Sequence, residues 1–254
     1  MGEIIVLGSG AAVPDENHEH THLFFREGQR GLLIDCGSNP VLHLPKAGVQ
    51  LDTLTDIFFT HFHPDHISGA PLLLMDLWLM GRKEPLNLYG SAHTLSRLQT
   101  VMDLYEWKAW PDFYPVHFHP AAEGTLVPVL ENESFRVHAT PVKHMVPTLG
   151  VRVEFLRSGR TVAYSCDTEP CSQMVQMAAG VDILIHESSG EGKGHSSSEQ
   201  AAEIALEAGA GTLYLIHYDG RAGQTALDEM AARARQVFGG EVHLAQDFMV
   251  IPVG

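Results

Sequence analysis

Thr60-His61-Phe62-His63-Pro64-Asp65-His66 places three imidazoles and a carboxylate within six positions, directly after the apolar run Asp56-Ile57-Phe58-Phe59. In an extended or tightly turned segment His61 and His63 point the same way, because side chains alternate with a period of two. Asp65 and His66 fall on the next bend and can face a neighbouring ion. Three further candidates stand where predicted strands end or turn: His144, Asp167 and His217. Side chains at strand ends can converge, because a shared sheet holds their backbones rigidly. The set is then five imidazoles and two carboxylates. Two divalent ions sharing one carboxylate and one hydroxide would use all of it. Nitrogen and oxygen donors of this kind favour zinc, while manganese or iron accept the same set. Imidazoles bind metal only when neutral, so affinity should fall steeply below about pH 6.

The elements that must position these groups can be read from patterning. Ile4–Leu7 reads as a buried strand stopped by Gly8-Ser9-Gly10, and Leu23–Phe25 and Gly31–Asp35 as the next two. A short helix follows over Val41–Ala47. Ile57–Thr60 is a strand whose carboxyl end delivers the histidine loop. Pro71–Gly81 reads as a helix that is apolar almost all round, hence core or a subunit interface. Leu86–Gly90 is a strand, Ser91–Leu104 a helix, and the aromatic segment Trp107–Tyr114 an irregular stretch. In the second half, residues 134–140, 150–155 and 161–165 alternate like antiparallel strands. Val181–Ile185 and Thr212–Ile216 are strands. Ser197–Ala208 is a helix with a serine at its start, Glu199 and Gln200 in the first turn and Gly209 at its end. Thr225–Val237 is the last helix, and 241–252 contains a closing strand. Two layered sheets with helices outside, in one domain over 1–254 with halves near 1–130 and 131–254, account for this order.

Composition sets the frame. A chain of 254 residues can bury a sizeable core, and 44% hydrophobic with 19% charged residues is globular. The formal charge of −15 disfavours non-specific binding to nucleic acid. Cys36, Cys166 and Cys171 show no framework spacing, which fits a reducing cytoplasm. The N-terminus lacks a basic segment ahead of an apolar one, and no apolar run is long enough to cross a bilayer.

The motif His61-x-His63-x-Asp65-His66, with His144, Asp167 and His217 in that order, resembles the metallo-β-lactamase superfamily from end to end. The resemblance implies a four-layer αββα sandwich of two mixed sheets flanked by helices. It also implies that His61, His63 and His144 hold one metal, that Asp65, His66 and His217 hold the other, and that Asp167 bridges. Leu7-Gly8-Ser9-Gly10-Ala11-Ala12-Val13-Pro14, Tyr164-Ser165-Cys166-Asp167-Thr168, His186-Glu187-Ser188-Ser189 and the run from Gly194 to Ala202 are similar to ribonuclease Z and related phosphodiesterases. That likeness implies a proton-donor role for His195 near the scissile phosphate, with Glu187 as its partner. The implied reaction is hydrolysis of a phosphodiester by a metal-bridging hydroxide, with Asp65 orienting the nucleophile. Ribonuclease Z usually carries a long tRNA-gripping insertion between the residues matching His144 and Asp167, yet these stand only 23 positions apart. A small or short phosphodiester is therefore expected in preference to structured tRNA. Other esters (aryl sulfates, lactones, thioesters) on the same centre, and a non-catalytic metal-binding protein, are the alternatives.

Other residues invite weaker readings. His18, His20 and His22 cluster on the first long loop and could line the pocket or bind an extra ion; a solvated loop is the plainer account. His117 and His119 flank Phe118 and permit the same choice. His138 and His186 read as structural, and Cys166 as a small buried residue. Trp107–Tyr114 could stack a base or wall an apolar substrate, or serve as core or dimer packing.

Overall fold

The structure is a computed structural model, and it describes residues 2–254. The strands are β1 Glu3–Gly8, β2 His22–Glu27, β3 Arg30–Ile34, β4 Leu54–Phe59, β5 Leu86–Gly90, β6 Val116–Pro120, β7 Val127–Glu131, β8 Phe135–Val142, β9 Thr148–Phe155, β10 Thr161–Tyr164, β11 Ile183–Glu187, β12 Thr212–Ile216, β13 Glu241–Leu244 and β14 Val250–Pro252. The α-helices are α1 Pro40–Lys46, α2 Pro64–Ile67, α3 Ala70–Leu79, α4 Ala92–Leu104, α5 Ser172–Ala178, α6 Ser198–Ala208 and α7 Gln224–Phe238.

The strands form two seven-stranded sheets, in the orders β14-β1-β2-β3-β4-β5-β6 and β13-β12-β11-β10-β9-β8-β7. Each is antiparallel on one side and parallel on the other. β3 to β6 run parallel in the first sheet, and β10 to β13 in the second. Parallel strands point their carboxyl ends to one edge, so whatever follows them is gathered there.

Apolar side chains of both sheets interdigitate between the layers, among them Phe25, Ile34, Phe135, Phe155 and Tyr164. The Phe155 ring stacks on Phe25 at 6.0 Å and meets Phe135 edge-on at 5.3 Å. A second core lies between the first sheet and α1, α3 and α4, and a third between the second sheet and α5, α6 and α7. The αββα sandwich is the observed architecture.

Local chemistry fixes the helix ends. Ser197 accepts from the Gln200 amide while the Gln200 side chain accepts from the Ser197 amide, closing a capping box on α6. Gly209 ends that helix at φ 65°, a left-handed conformation open to glycine. Asn39 caps α1 ahead of Pro40, and Ser91 caps α4.

Several elements differ from the sequence expectation. β6, β7 and α5 were not anticipated; α5 is a seven-residue helix without a side-chain cap. The sheets divide between Pro120 and Val127, since β7 already pairs with β8. The closing segment supplies two strands: β13 extends the second sheet, and β14 returns to pair with β1 in the first. The aromatic side chains of Trp107–Tyr114 pack on the second core, while Lys108, Ala109, Pro111 and Asp112 are exposed. Trp107 and Tyr114 are buried, and Trp110 stacks on Trp78 of α3 at 5.1 Å. His117 and His119 lie on β6, away from the histidine loop in the sheet order.

Candidate metal centre

Each residue of the expected cluster sits just past a strand that aims at the same edge. β4 delivers His61 and His63, and α2 carries Asp65 and His66. β8 leads to His144, β10 to Asp167 and β12 to His217. The chain must turn abruptly at these strand ends. Asp35, Cys166 and His217 accordingly adopt positive φ values of 63°, 55° and 55°. Such backbone is costly for residues with a side chain and concentrates at functional sites. Gly37 permits a close approach, since a Cβ there would lie 1.7 Å from the Asp65 carbonyl oxygen.

The expected residues converge as two groups that share Asp167. In the first group, one donor atom each from His61, His63, His144 and Asp167 lie within 4.8 Å of one another. The same holds for Asp65, His66, Asp167 and His217. Asp167 Oδ2 is 3.9 Å from both His61 Nε2 and His144 Nε2. Its Oδ1 is 3.5 Å from both His66 Nε2 and His217 Nε2. Asp65 Oδ2 is also 3.5 Å from those two nitrogens. The two oxygens of one carboxylate therefore face different groups, as a bridging ligand would.

Several buried atoms that face inward have no protein partner, although His144 Nε2 lies 3.1 Å from His63 Nδ1. His61 Nε2, His66 Nε2, His217 Nε2 and Asp167 Oδ1 are buried without a hydrogen bond among the described residues. The opposite ring nitrogens are held. His66 Nδ1 donates to Asp35 Oδ2 at 2.7 Å, and His144 Nδ1 to the Gly194 carbonyl at 2.7 Å. His217 Nδ1 lies 2.7 Å from Ser189 Oγ, and His61 Nδ1 lies 3.0 Å from Thr60 Oγ1. An outer partner on one nitrogen turns the lone pair of the other inward, which is how metal-binding imidazoles are oriented. Orphaned inward atoms and anchored outward atoms together fit a divalent cation.

Electrostatics agrees with that fit. Burial pushes the Asp167 carboxyl up, but the His217 and His66 imidazoles outweigh it and hold it well below the usual carboxylate range. Asp65 is held down in the same way by His217 and His66. Burial drives His61, His63 and His144 toward the neutral form that a metal requires. His66 is the exception: burial opposes its charge, yet Asp167 and Asp35 raise it well above the ordinary imidazole range. A cation on Nε2 would take the place of that proton.

His195 and Glu187 lie beside the second group. The His195 ring stacks on His217 at 5.8 Å and meets His144 edge-on at 5.1 Å. Its Nδ1 is 3.4 Å from Glu187 Oε1, an ion-pair separation without hydrogen-bond alignment. Glu187 raises the His195 pKa against the opposing effect of burial. The Glu187 carboxylate is itself fixed by amides, accepting from Ser196 at 2.7 Å and Ser189 at 2.9 Å.

Asp35, Ser189 and the Gly194 carbonyl were not foreseen. A carboxylate immediately after the buried strand β3 was the available signal for Asp35; the other two follow only from folding. His186 is buried with Nδ1 on the Glu187 carbonyl at 2.8 Å, a structural placement. Cys166 Sγ lies 3.5 Å from His61 Nδ1, the nitrogen on the side away from Asp167. The His18–His22 segment is joined through Gly10, which bridges to both His20 and Tyr218, to the residues that follow β12. The amide of Ala11 donates to the Tyr218 carbonyl at 3.0 Å, and that of His217 to the Ser9 carbonyl at 2.8 Å.

Comparison with known proteins places this geometry. The β-lactamase superfamily domain matches residues 30–218. Ribonuclease Z of Methanothermobacter thermautotrophicus is 30% identical, with 100% of this chain and 97% of that protein covered. Ribonuclease BN of Cronobacter sakazakii is 28% identical over 99% of this chain and 100% of its own length. Among solved structures, the metallo-β-lactamase fold protein YhfI of Bacillus subtilis superposes with a TM-score of 0.82 at 25% identity, covering 98% of both chains. Human tRNase Z, short form, gives 0.79 at 26% identity, covering 99% of both. Among the described residues no helix is long and apolar enough to cross a membrane. A matching domain over most of the length, relatives aligned end to end and a cluster suited to divalent cations lead to one conclusion: the chain is a metal-dependent hydrolase of the β-lactamase superfamily and belongs to its ribonuclease Z-like branch.

Proposed function

We propose that this protein is a dinuclear phosphodiesterase acting on small or short phosphodiesters. The observation that carries the reading is the shared carboxylate: Asp167 presents Oδ2 to His61 and His144, and Oδ1 to His66 and His217. His61, His63 and His144 would hold one ion and Asp65, His66 and His217 the other, with Asp167 between them. Zinc suits this donor set best. Bound there, the two ions would acidify a shared water and neutralise charge on the phosphate.

The chain's own residues would do the rest. Asp65 lies 3.5 Å from both His66 and His217 and would orient the attacking water or take its proton. His195, charged through Glu187, would donate a proton to the leaving oxygen, typically worth about 10²–10⁴-fold. Glu187, locked by backbone amides, would keep His195 Nδ1 protonated and aim the ring. Residues from both halves build the site over one shared core, which supports a single domain over 1–254. The free thiols Cys36, Cys166 and Cys171 fit a reducing cytoplasm.

Two observations favour small or short substrates. β9 and β10 are joined by a tight turn at residues 156–160, with no room for an arm. The alignment to the Methanothermobacter ribonuclease Z spans 307 positions and takes in all 254 residues here, so 53 of its positions have no residue in this chain. The competing reading is tRNA maturation, favoured by the ribonuclease Z relatives at 27–30% identity.

The test is a substrate panel on metal-loaded protein: bis-nitrophenyl phosphate, cyclic nucleotides and precursor tRNA, with aryl sulfates and lactones beside them. Small diesters are expected to turn over fastest. Faster cleavage of precursor tRNA would overturn the substrate assignment. A silent phosphodiester panel with turnover of sulfates or lactones would overturn the reaction class.

A further inference from the structure

We propose a third divalent-cation site, separate from the metal centre, built from His22, Ser38 and His43. These residues come from three elements: the start of β2, the loop after β3 and the middle of α1. His22 Nε2, His43 Nδ1 and Ser38 Oγ form an equilateral triangle with every side 3.3 Å. Ligands about 2.0–2.1 Å from a tetrahedral zinc are separated by about 3.3–3.4 Å, so the triangle matches one face of such a tetrahedron. The imidazole pairs and carboxylate contacts of the metal centre have comparable separations, 3.1 Å for His63–His144 and 3.5 Å around Asp65.

Without an ion, hydrogen bonds hold the triangle together. His22 Nδ1 donates to the His20 carbonyl at 2.7 Å, which leaves Nε2 a bare acceptor. His43 Nδ1–H can then donate to Ser38 Oγ and the Ser38 hydroxyl to His22 Nε2, while the third side sets two imidazole nitrogens 3.3 Å apart with no proton of its own. A proton on His22 Nε2 would charge a fully buried ring. A cation satisfies all three atoms at once and leaves a fourth position for water. The His43 ring is half-buried, which gives an ion a path from solvent. The carboxylates of Glu19 and Asp247 act on His43 through space, against the single opposing ammonium of Lys46. The chemical class is a first-row divalent ion with a taste for nitrogen, zinc above all.

Such an ion would staple the His18–His22 loop to α1 and to the Gly37-Ser38 turn that backs Asp65. It would act as a structural tie and take no part in the reaction.

Equilibrium dialysis of the whole protein against buffered micromolar zinc, followed by elemental analysis, tests it. Wild type is expected to hold three ions per chain and His43→Ala two, with phosphodiesterase activity retained in both. His43 is the position to change, because it is half-exposed on a helix whereas His22 is buried in the sheet. Crystals soaked in zinc should show anomalous density within the triangle in wild type and none in His43→Ala. Equal stoichiometry in the two proteins, or anomalous density confined to the metal centre, would overturn the site. Two ions in both proteins would sink the third site while leaving the dinuclear reading intact; no ions in either would sink both.

Discussion

Replacing Asp35 by Asn should loosen the metal without breaking the fold. Asp35 is fully buried at the end of β3 and touches no predicted metal ligand except His66. Its Oδ2 accepts from His66 Nδ1 at 2.7 Å, while Thr60 donates its amide to Oδ1 and its hydroxyl to Oδ2, each at 2.8 Å. Asparagine keeps the shape, can still accept from the Thr60 amide and tolerates the φ of 63°. It would, however, turn an NH₂ toward His66 Nδ1. The imidazole must then face a donor or move its proton to Nε2, where it blocks the metal. Losing a buried hydrogen bond to a charged group costs about 1.5–3 kcal/mol, roughly 10- to 150-fold in metal affinity. Outer-partner substitutions at metal-bound histidines typically cost 10–100-fold, which agrees. The assay is competition for zinc against a chromophoric chelator, with circular dichroism to confirm an unaltered fold. A folded Asp35→Asn protein whose affinity and rate stay within about threefold of wild type would refute the claim that Asp35 orients His66 for metal.

Three further outcomes follow from the same geometry. His195→Ala should slow poor leaving groups by about 10²–10⁴-fold and good ones far less, with metal content unchanged; equal losses on both would remove the proton-donor role. Because Glu187 raises the His195 pKa, the donor stays protonated to higher pH, and the rate should fall as pH climbs past that raised value. Removing the carboxylate in Glu187→Gln should shift this basic limb of the kcat profile to lower pH, and an unmoved limb would show that another group titrates. Chelation should lower the melting temperature, since ligand at about 100 times its Kd stabilises by roughly 2.7 kcal/mol per site. Differential scanning calorimetry of chelated and zinc-loaded protein reads this directly, and coincident transitions would speak against metal binding at the orphaned nitrogens.

The sequence alone determined the candidate ligands and most of the scaffold. His61, His63, Asp65 and His66 announce themselves because local spacing concentrates donors on one turn. His144, Asp167 and His217 stand at ends of apolar strands, and apolar runs closed by polar residues are a local signal. The capped helix α6 was legible for the same reason: its serine, glutamine and glycine act within a few residues of one another.

Only the tertiary structure decided the rest. β6 and β7 are partly exposed edge regions whose strand state depends on a neighbour to pair with, and α5 has no cap to mark its start. That 241–252 serves two sheets is a matter of topology, invisible in its patterning. Which oxygen of Asp167 faces which imidazoles, and the choice of Asp35, Ser189 and the Gly194 carbonyl as outer partners, arise from long-range packing. The His22–Ser38–His43 triangle joins residues up to 21 positions apart, and no spacing rule predicts its 3.3 Å sides. Residue type declares what a side chain can bind, whereas the fold sets the distances and the desolvation that decide what it does bind.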